Sequence, residues 1–521
     1  MMIQAAKGHA KRARSFLHET ASPESYRTAC AMKMTAELTR FPLSYTGSIF
    51  MTEKRMFFTQ KLKTRYIGDK AFYLAVLAVA VPIMIQNGIT NFVSMLDNIM
   101  IGRIGTEQMS GASIVNQLIF VYNLCIFGGV SGAGIFTAQF FGQKNEEGIR
   151  QTFRFKIWLV FLLTGAAVLL FLAKGEALIG LYLKGKGSDA SRTLTLSSGL
   201  SYLRVMLTGL PAFMLVQAYA GTLRECNQTM LPMEAGITAV LVNLCFNYLL
   251  IYGKMGFPKL GIVGAALATV LSRYVELAII LVWTHTHDRE VPFIRGLYKT
   301  MKIPGRLVRK VFIKGIPLLL NETMWAAGMA MLAQCYSVRG LDVVAAMNIN
   351  NTIGNVFSIV FISLGNAVAI IIGQLLGAGK MEEAKDTDNK LIAFSVLSCI
   401  VTSAGMLLAA PFFPGIYETT PEVRRLAAAF MRIYALFLPF HAFLNACYFT
   451  IRAGGKTIIT FLFDSVFIWI VSVTLAFCLT RFTAMRVEMV YVIVTFADFL
   501  KCFLGFYLVR KGVWLANIVS N

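Results

Sequence analysis

The chain has 521 residues, of which 56% are hydrophobic and only 15% are charged, and its mean hydropathy is +0.64. An ordinary soluble protein carries roughly 25% charged residues, so this composition excludes a soluble multidomain enzyme, a disordered chain and a collagen-like chain. Runs of about twenty mainly apolar residues recur from Phe72 nearly to the end, each long enough to cross a hydrocarbon layer of about 30 Å as a helix. Because these runs are continuously apolar, they do not suit a transmembrane barrel, whose strands alternate in polarity. The sequence therefore predicts a polytopic all-α membrane protein.

Positive charge is unevenly distributed along the chain. The formal net charge is +22, and thirteen of the 49 Lys and Arg residues lie in the first 70 positions. Most of the others lie between the apolar runs, as in loops that collect Lys and Arg at a cytoplasmic face. A nucleic-acid-binding surface is the minor alternative, and no motif supports it. Residues 1–69 are predicted to be a basic, disordered cytoplasmic tail, in which Met51 and Met56 offer alternative starts.

Twelve membrane spans are predicted after the tail. A basic connection at 285–310 divides them six and six, and the positive-inside rule favours both termini on the cytoplasmic side of the plasma membrane. The predicted domains are the tail at 1–69, an N-terminal six-helix lobe with its linking loop at 70–290, and a C-terminal six-helix lobe at 291–521. The spans lie near 71–98, 112–141, 156–174, 197–222, 233–252, 261–284, 311–336, 345–377, 390–413, 428–450, 458–480 and 487–509.

Unusual residue types recur at nearly one offset in the two halves of the membrane region. At a shift of 235 or 228 residues the matching pairs include Pro82 and Pro317, Gln139 and Gln374, Pro211 and Pro439, and Arg224 and Arg452. Because each half has six spans, both halves start on the same side, and the repeat is a parallel one about an axis along the membrane normal. Transporters built in this way bind substrate between the halves and open alternately to either side.

Four segments carry a distinctive order of prolines, glycines and polar residues. They are VPIMIQNGITNFVSMLDNIMIGRIG (81–105), GGVSGAGIFTAQFFGQ (128–143), NLCFNYLLIYGKMGFPKLGIVGAALATV (243–270) and the segment from Pro439 to Gly455. Together they resemble the multidrug and toxic compound extrusion (MATE) family, over about residues 68–510. The resemblance implies two six-helix lobes in a V around a central cavity, related by a pseudo-twofold axis along the membrane normal. It also implies antiport that exports amphipathic organic cations or drugs in exchange for H⁺ or Na⁺.

Asp97 is the first acidic residue after about twenty-five uncharged positions of the first span. A lone carboxylate is costly in lipid, so Asp97 must face a cavity, be paired or be protonated. The resemblance implies that it is the ion-coupling group and that Asn243, Asn247 and Thr269 complete a cation cluster that suits Na⁺. Because Asn247 stands where several family members have a second aspartate, we expect protons first and sodium second. The alternatives are pairing of Asp97 at the helix end and interhelical hydrogen bonds for the two amides.

Two further ionisable residues lie inside spans of the second lobe. The resemblance implies that Glu322 is a second ion-coupling site, and a pair with a basic side chain is the alternative. His441 stands where some relatives have an aspartate, so it is a candidate for substrate or proton binding or else a hydrogen-bonding strut. Four prolines inside spans free backbone groups and permit helix bending, although a static kink is equally compatible. These prolines are Pro82, Pro211, Pro317 and Pro439.

The remaining intramembrane charges are predicted to be structural. Two i,i+3 pairs can neutralise themselves on one helix, namely Arg273 with Glu276 and Asp498 with Lys501. Arg224 and Arg452 are expected at cytoplasmic turns, which leaves a cavity that carries acids. A lipid or lipid-linked oligosaccharide flippase of the same superfamily, the alternative function, would have a cavity richer in basic residues.

Catalytic motifs are missing from the sequence. It contains no Walker motif, no CxxC and no nucleophile elbow, so neither an enzyme nor a metal or cofactor site is predicted. The predicted partners are organic cations and membrane lipid, with no nucleic acid, and the predicted oligomeric state is a monomer.

Overall fold

The computed structural model describes residues 65–183 and 189–520, with the side chains at 94, 95, 98 and 99 left aside. The predicted tail lies outside the described residues except for its last five positions. Ile67–Asn521 is one compact unit. Within the described ranges every regular element is a helix, and twelve helices are long and apolar enough to cross a membrane. The predicted all-α fold with twelve spans is therefore confirmed.

The twelve helices are longer than the apolar runs that predicted them, because each extends beyond its run at one or both ends. Asp69 begins the first helix by accepting a hydrogen bond from the backbone N–H of Phe72 at 2.8 Å. In chain order the helices are α1 Lys70–Gly102, α2 Thr106–Gly142, α3 Glu146–Tyr182, α4 Asp189–Glu225, α5 Met230–Tyr252, α6 Ile262–Thr286, α7 Gly305–Ser337, α8 Leu341–Gly377, α9 Met381–Ala409, α10 Pro421–Ala453, α11 Thr457–Phe482 and α12 Val487–Arg510.

The four intramembrane prolines lie at equivalent places in the two halves. Pro82, Pro211, Pro317 and Pro439 are inside α1, α4, α7 and α10. The halves differ in their fifth helices, because α11 contains π-helical stretches at Leu462–Val466 and Ile468–Val473 whereas α5 is α-helical throughout. A π-helical turn rotates the side chains that follow it, and such turns often occur at functional sites.

The beginning of α1 packs against the C-terminal half. Val76, Val79 and Ile83 share a buried cluster with Leu364 of α8 and Leu444 of α10. The far end of α1 belongs to the main core of the N-terminal half. A single helix therefore contacts the cores of both halves.

The helix α7 shows the reverse arrangement, because its beginning packs against the N-terminal half. Leu307 and Val311, near its start, pack with Phe136 of α2 and Phe155 of α3. Its far end returns to the C-terminal half, where Tyr336 lies in a buried cluster. The first helix of each half thus begins on the core of the other half.

The two halves meet closely where α2 and α8 end, and we call this region the closed side. A Cβ atom on Gly142 would lie 1.9 Å from the carbonyl oxygen of Gln374, and a Cβ atom on Gly377 would lie 1.9 Å from the carbonyl oxygen of Gln139. Only glycine permits such backbone contact. The contact is reciprocal because Gly142 and Gly377 are equivalent in the repeat.

Glutamine side chains add hydrogen bonds across the closed side. Gln139 Nε2 donates to the carbonyl oxygen of Ala453 at 3.0 Å, and Gln374 Nε2 donates to the carbonyl oxygen of Glu225 at 2.9 Å. Residues 511–520 also contact the closed side, since the N–H of Ile518 donates to Gln139 Oε1 at 2.8 Å. The closed side is therefore held by contacts from both halves and from the segment after α12.

Candidate functional site

A cavity of about 470 Å³ lies between the two halves. Its walls come from α1, α2, α4, α5 and α6 of the N-terminal half and from α8 and α10 of the C-terminal half. A second cavity of similar volume lies within the N-terminal half, and Asp97, Asn123 and Thr269 line both. The carboxylate of Asp97 is therefore positioned where the two spaces meet.

The four residues predicted to form the cation cluster come together in the structure. Asn247 Nδ2 donates to Asp97 Oδ1 at 2.5 Å and to Asn243 Oδ1 at 3.1 Å. Asn243 Nδ2 donates to Thr269 Oγ1 at 3.2 Å. Asn243 and Asn247 lie one helical turn apart on α5, so that both face α1 and α6. The cluster thus joins three helices around one carboxylate.

The Asp97 carboxylate has no basic partner within salt-bridge distance among the described side chains. The nearby Arg273 is instead held by Glu276 on its own helix at 2.8 Å, which confirms the predicted i,i+3 pair. Asn247 is almost fully buried, and its Oδ1 atom has no hydrogen-bond partner. An unpaired carboxylate beside a spare amide oxygen is suited to accept a proton or a small hard cation.

Glu322 has different surroundings. Its Oε1 lies 3.6 Å from Arg452 Nη1 and accepts a hydrogen bond from the Tyr448 hydroxyl at 3.3 Å. It does not line the central cavity. The structure therefore pairs Glu322 with a basic side chain, which was the alternative to a second ion-coupling site.

The predicted pair of Asp498 with Lys501 is wrong. Lys501 Nζ lies 2.6 Å from Asp464 Oδ1 on α11, and Asn321 donates to the other oxygen of Asp464 at 3.3 Å. Asp464 lies in the first π-helical stretch, whose altered side-chain directions turn it toward α12. Asp498 instead lies 3.8 Å from His441 Nε2, outside the lining of the central cavity.

The placement of Arg224 and Arg452 in cytoplasmic turns also needs correction. Both lie in the last turns of their helices, but both side chains line the central cavity. A long arginine side chain can reach back from a helix end along several ångströms of wall. The expectation of an acidic cavity is therefore wrong, because the charged residues in its lining are three acids and three arginines. They are Asp97, Glu225, Glu276, Arg224, Arg273 and Arg452.

Sequence reasoning also missed an ion pair between α3 and α4. Lys156 is fully buried, donates to Thr222 Oγ1 at 3.0 Å and pairs with the carboxylate of Glu225. The internal repeat gave one sign that Glu225 is special. At the shift of 228 residues this acid corresponds to the uncharged Ala453, so the charge is present in one half only. In the described part of the chain, no group of three or more His, Cys, Asp or Glu residues is arranged to hold a metal ion.

Comparison of the sequence with known proteins gives a consistent result. The profile of the MatE family matches residues 82–249 and 318–479, once in each half. The probable multidrug resistance protein NorM of Thermotoga maritima is 24% identical over 407 residues, which are 78% of this chain and 85% of that protein. The probable multidrug resistance protein YoeA of Bacillus subtilis is 24% identical over 450 residues, which are 85% of this chain and 94% of that protein.

Two solved structures of MATE transporters share this fold. A crystal structure of MATE in complex with MaL6 superimposes with a TM-score of 0.76 at 18% identity, covering 87% of this chain and 98% of that chain. An outward-facing multidrug resistance MATE transporter gives a TM-score of 0.75 at 17% identity with the same coverage. At these identities the likeness concerns the fold.

Proposed function

Because this chain belongs to the MatE family of transporters, we propose that it is a cation-coupled antiporter that exports amphipathic organic cations by alternating access. Its relatives are named multidrug resistance proteins, which supports drug export. We place it in the plasma membrane as a monomer with both termini cytoplasmic. The observation that carries the proposal is the unpaired Asp97 carboxylate, which faces the cavity between the halves and the cavity within the N-terminal half.

Proton binding at Asp97 would reverse its hydrogen-bonding role. The carboxylate now accepts from Asn247, whereas a protonated carboxyl group also donates a hydrogen bond. The unpartnered Asn247 Oδ1 could accept such a bond after a small rotation. Sodium would need several oxygen ligands at once, while Asn243 Oδ1 and Thr269 Oγ1 already accept hydrogen bonds. We therefore propose H⁺ as the first coupling ion and Na⁺ as the second.

The helix α1 offers a physical path from Asp97 to the other half. Its far end carries Asp97, and its first turns pack in the core of the C-terminal half through Val76 and Val79. Pro82 lies between these two regions and removes one backbone hydrogen bond, which lowers the cost of bending. A change in the hydrogen bonds of Asp97 can thus alter how α1 packs on both halves.

The decisive experiment measures uptake of rhodamine 6G, an organic cation, by proteoliposomes under one imposed gradient at a time. We expect a pH gradient to drive accumulation of the dye in buffers free of sodium. A sodium gradient at fixed pH should give a smaller response. Transport that collapses when sodium is withdrawn at fixed pH would reverse the order of ions, and absence of transport under both gradients would contradict the antiporter proposal.

A lipid or lipid-linked oligosaccharide flippase is the second candidate function. The observation that favours it is the presence of Arg224, Arg273 and Arg452 in the cavity lining, since phosphate groups pair well with guanidinium groups. Movement of fluorescent anionic lipid between leaflets of the same proteoliposomes tests it. Lipid movement that exceeds protein-free controls, without dye transport, would replace the antiporter by the flippase.

A further inference from the structure

Most charged groups of the central cavity already have a partner of opposite sign. Glu276 is held by Arg273, Glu225 by Lys156, and Arg452 by Glu322. Two residues are exceptions. Asp97 is the proposed ion-coupling site, and Arg224 forms no salt bridge with any described side chain.

Arg224 has spare hydrogen-bonding capacity. Its Nη2 donates to Gln86 Oε1 at 2.7 Å, and its Nε is buried without a hydrogen-bond partner. The carboxylate of the neighbouring Glu225 is engaged by Lys156. The C-terminal dipole of α4 favours a cation at this end of the helix, but it leaves the Nε–H group unbonded. Glu276 and Glu225 attract the guanidinium group through space, but neither carboxylate forms a salt bridge with it. A buried donor without a hydrogen-bond partner is costly, so an anion that accepts from Arg224 would be favoured.

The internal repeat places a second arginine at the equivalent position. Arg452 ends α10 as Arg224 ends α4, and both line the central cavity. The Arg452 guanidinium lies 5.7 Å from the ring centre of Phe127 and 5.4 Å from that of Phe449, and both rings also line the cavity. Arginine next to aromatic rings suits an amphiphile with an anionic group.

The arginine region is well separated from the coupling site. Gln86, which anchors Arg224, precedes Asp97 by eleven residues on α1, or about 16 Å at 1.5 Å per residue. A substrate anion near Arg224 would therefore leave Asp97 free for its ion. The arginines lie toward the closed side, since each ends the helix whose last carbonyl group accepts a hydrogen bond from Gln139 or Gln374.

We propose that Arg224, together with Arg452, forms an anion-binding subsite on the closed side of the central cavity. The substrates of this protein then include amphiphiles that bear a carboxylate or phosphate group. This inference rests on the proposed transport function and specifies its substrate class. The fork of N–H donors on Arg224 binds the anion, while the aromatic rings contact the apolar body.

A matched pair of dyes tests the subsite. Rhodamine 19 carries a free carboxylate, and rhodamine 6G is its ethyl ester with the same fluorophore. Equilibrium binding to the purified full-length protein is measured by fluorescence polarisation without any ion gradient. We expect Arg224→Gln to weaken binding of rhodamine 19 about tenfold, as for loss of a charge-assisted hydrogen bond, and to change binding of rhodamine 6G by less than about twofold. Arg224→Lys should have an intermediate effect.

The control is Arg204→Gln, which removes an exposed arginine of the same helix outside the cavity lining. It should leave the binding of both dyes unchanged. Equal weakening of both dyes by Arg224→Gln, unchanged binding of rhodamine 19, or no binding of rhodamine 19 to the unmodified protein would overturn the subsite.

Short-chain phosphatidic acid as a competitor identifies the source of the anion. Displacement of rhodamine 19 by this lipid, but not by phosphatidylcholine, supports the subsite and assigns it to a phosphate headgroup. Selective binding of rhodamine 19 without such displacement supports it for soluble carboxylates. Because binding is measured without a gradient, failure of gradient-driven transport contradicts the proposed function and leaves this result intact.

Discussion

The two halves of the protein share a helix order but hold their buried acids in different ways. In the N-terminal half, Asp97 accepts a hydrogen bond from the amide of Asn247 and has no salt bridge to any described side chain, because the nearby Arg273 is paired with Glu276. In the C-terminal half, Glu322 is paired with a base from another helix. A carboxylate among neutral donors can exchange its ion at little cost, whereas a paired carboxylate is already neutralised.

Equivalent basic residues show how this difference arises. Arg273 and Lys501 correspond in the repeat, but Arg273 pairs within α6 while Lys501 reaches Asp464 on α11. The π-helical stretches of α11 accompany that second arrangement. Asn321 donates to Asp464 and to Tyr448, so the ion pairs of four helices are connected. The ion pairs of Glu322 and Asp464 in the C-terminal half thus form one connected network, whereas the Asp97 carboxylate of the N-terminal half has no ion-pair partner among the described side chains.

The comparison fails if Asp97 can be replaced without loss of coupling. We expect Asp97→Asn to abolish gradient-driven export while protein remains in the membrane at the unmodified level, because the amide cannot take up a proton near neutral pH and lacks the negative charge that attracts sodium. Efflux in proteoliposomes and immunoblots of membranes give the two measurements. Asp498→Asn, which removes a carboxylate outside the central cavity, is the control and should retain export.

The closed side offers a second test of the comparison. There the two halves should behave alike, whereas the surroundings of their buried acids differ. Gly377→Ala should prevent the closed arrangement, because its Cβ would lie 1.9 Å from the carbonyl oxygen of Gln139. Transport should fall severalfold, and labelling of the buried Cys226, followed by mass spectrometry, should increase. Gly142→Ala should do the same. Gly165→Ala, whose Cβ meets nothing within 4 Å, is the control; unchanged Cys226 labelling in both test variants would contradict reciprocal closure.

Sequence reasoning predicted those features that depend on local pattern. Helical spans follow from apolar length, and intramembrane prolines are visible directly. The resemblance to the MATE family predicted that Asp97 and Asn247 belong to one cluster. By contrast, the direction of Arg224 depends on how α4 packs in the folded helix bundle, and the partner of Lys501 lies 37 residues away on a helix with a π-helical turn. Neither could be derived from spacing along one helix.

Removing the acid of the C-terminal network should affect stability more than coupling. Glu322→Gln leaves Arg452 without its carboxylate but preserves an acceptor, so we expect a loss of about 1–2 kcal/mol in the free energy of unfolding. The apparent melting midpoint should fall while export stays coupled to the same ion. The double variant Glu322→Gln/Arg452→Gln should recover part of the midpoint. Loss of coupling with an unchanged midpoint would make Glu322 a second coupling site.

The smallest expected change concerns the choice of ion. Asn247→Asp adds a second carboxylate next to Asp97, and two adjacent carboxylates favour a bound cation. We expect a larger sodium stimulation of dye export at fixed pH, with export still present. Asn87→Asp, which adds the same charge elsewhere in the cavity wall, is the matched control. An equal response from the two variants would show that charge alone, rather than the Asp97 cluster, determines ion preference.

The exchange of first helices between the halves constrains how the chain is made. Val76 and Val79 reach the membrane early in synthesis, but their packing partners Leu364 and Leu444 follow Val79 by 285 and 365 residues. Until then this apolar stripe of α1 lacks its native packing partners. Each half, if produced alone, would likewise expose the surface that receives the other's first helix. The last stages of biogenesis are therefore shared by both halves rather than completed one after the other.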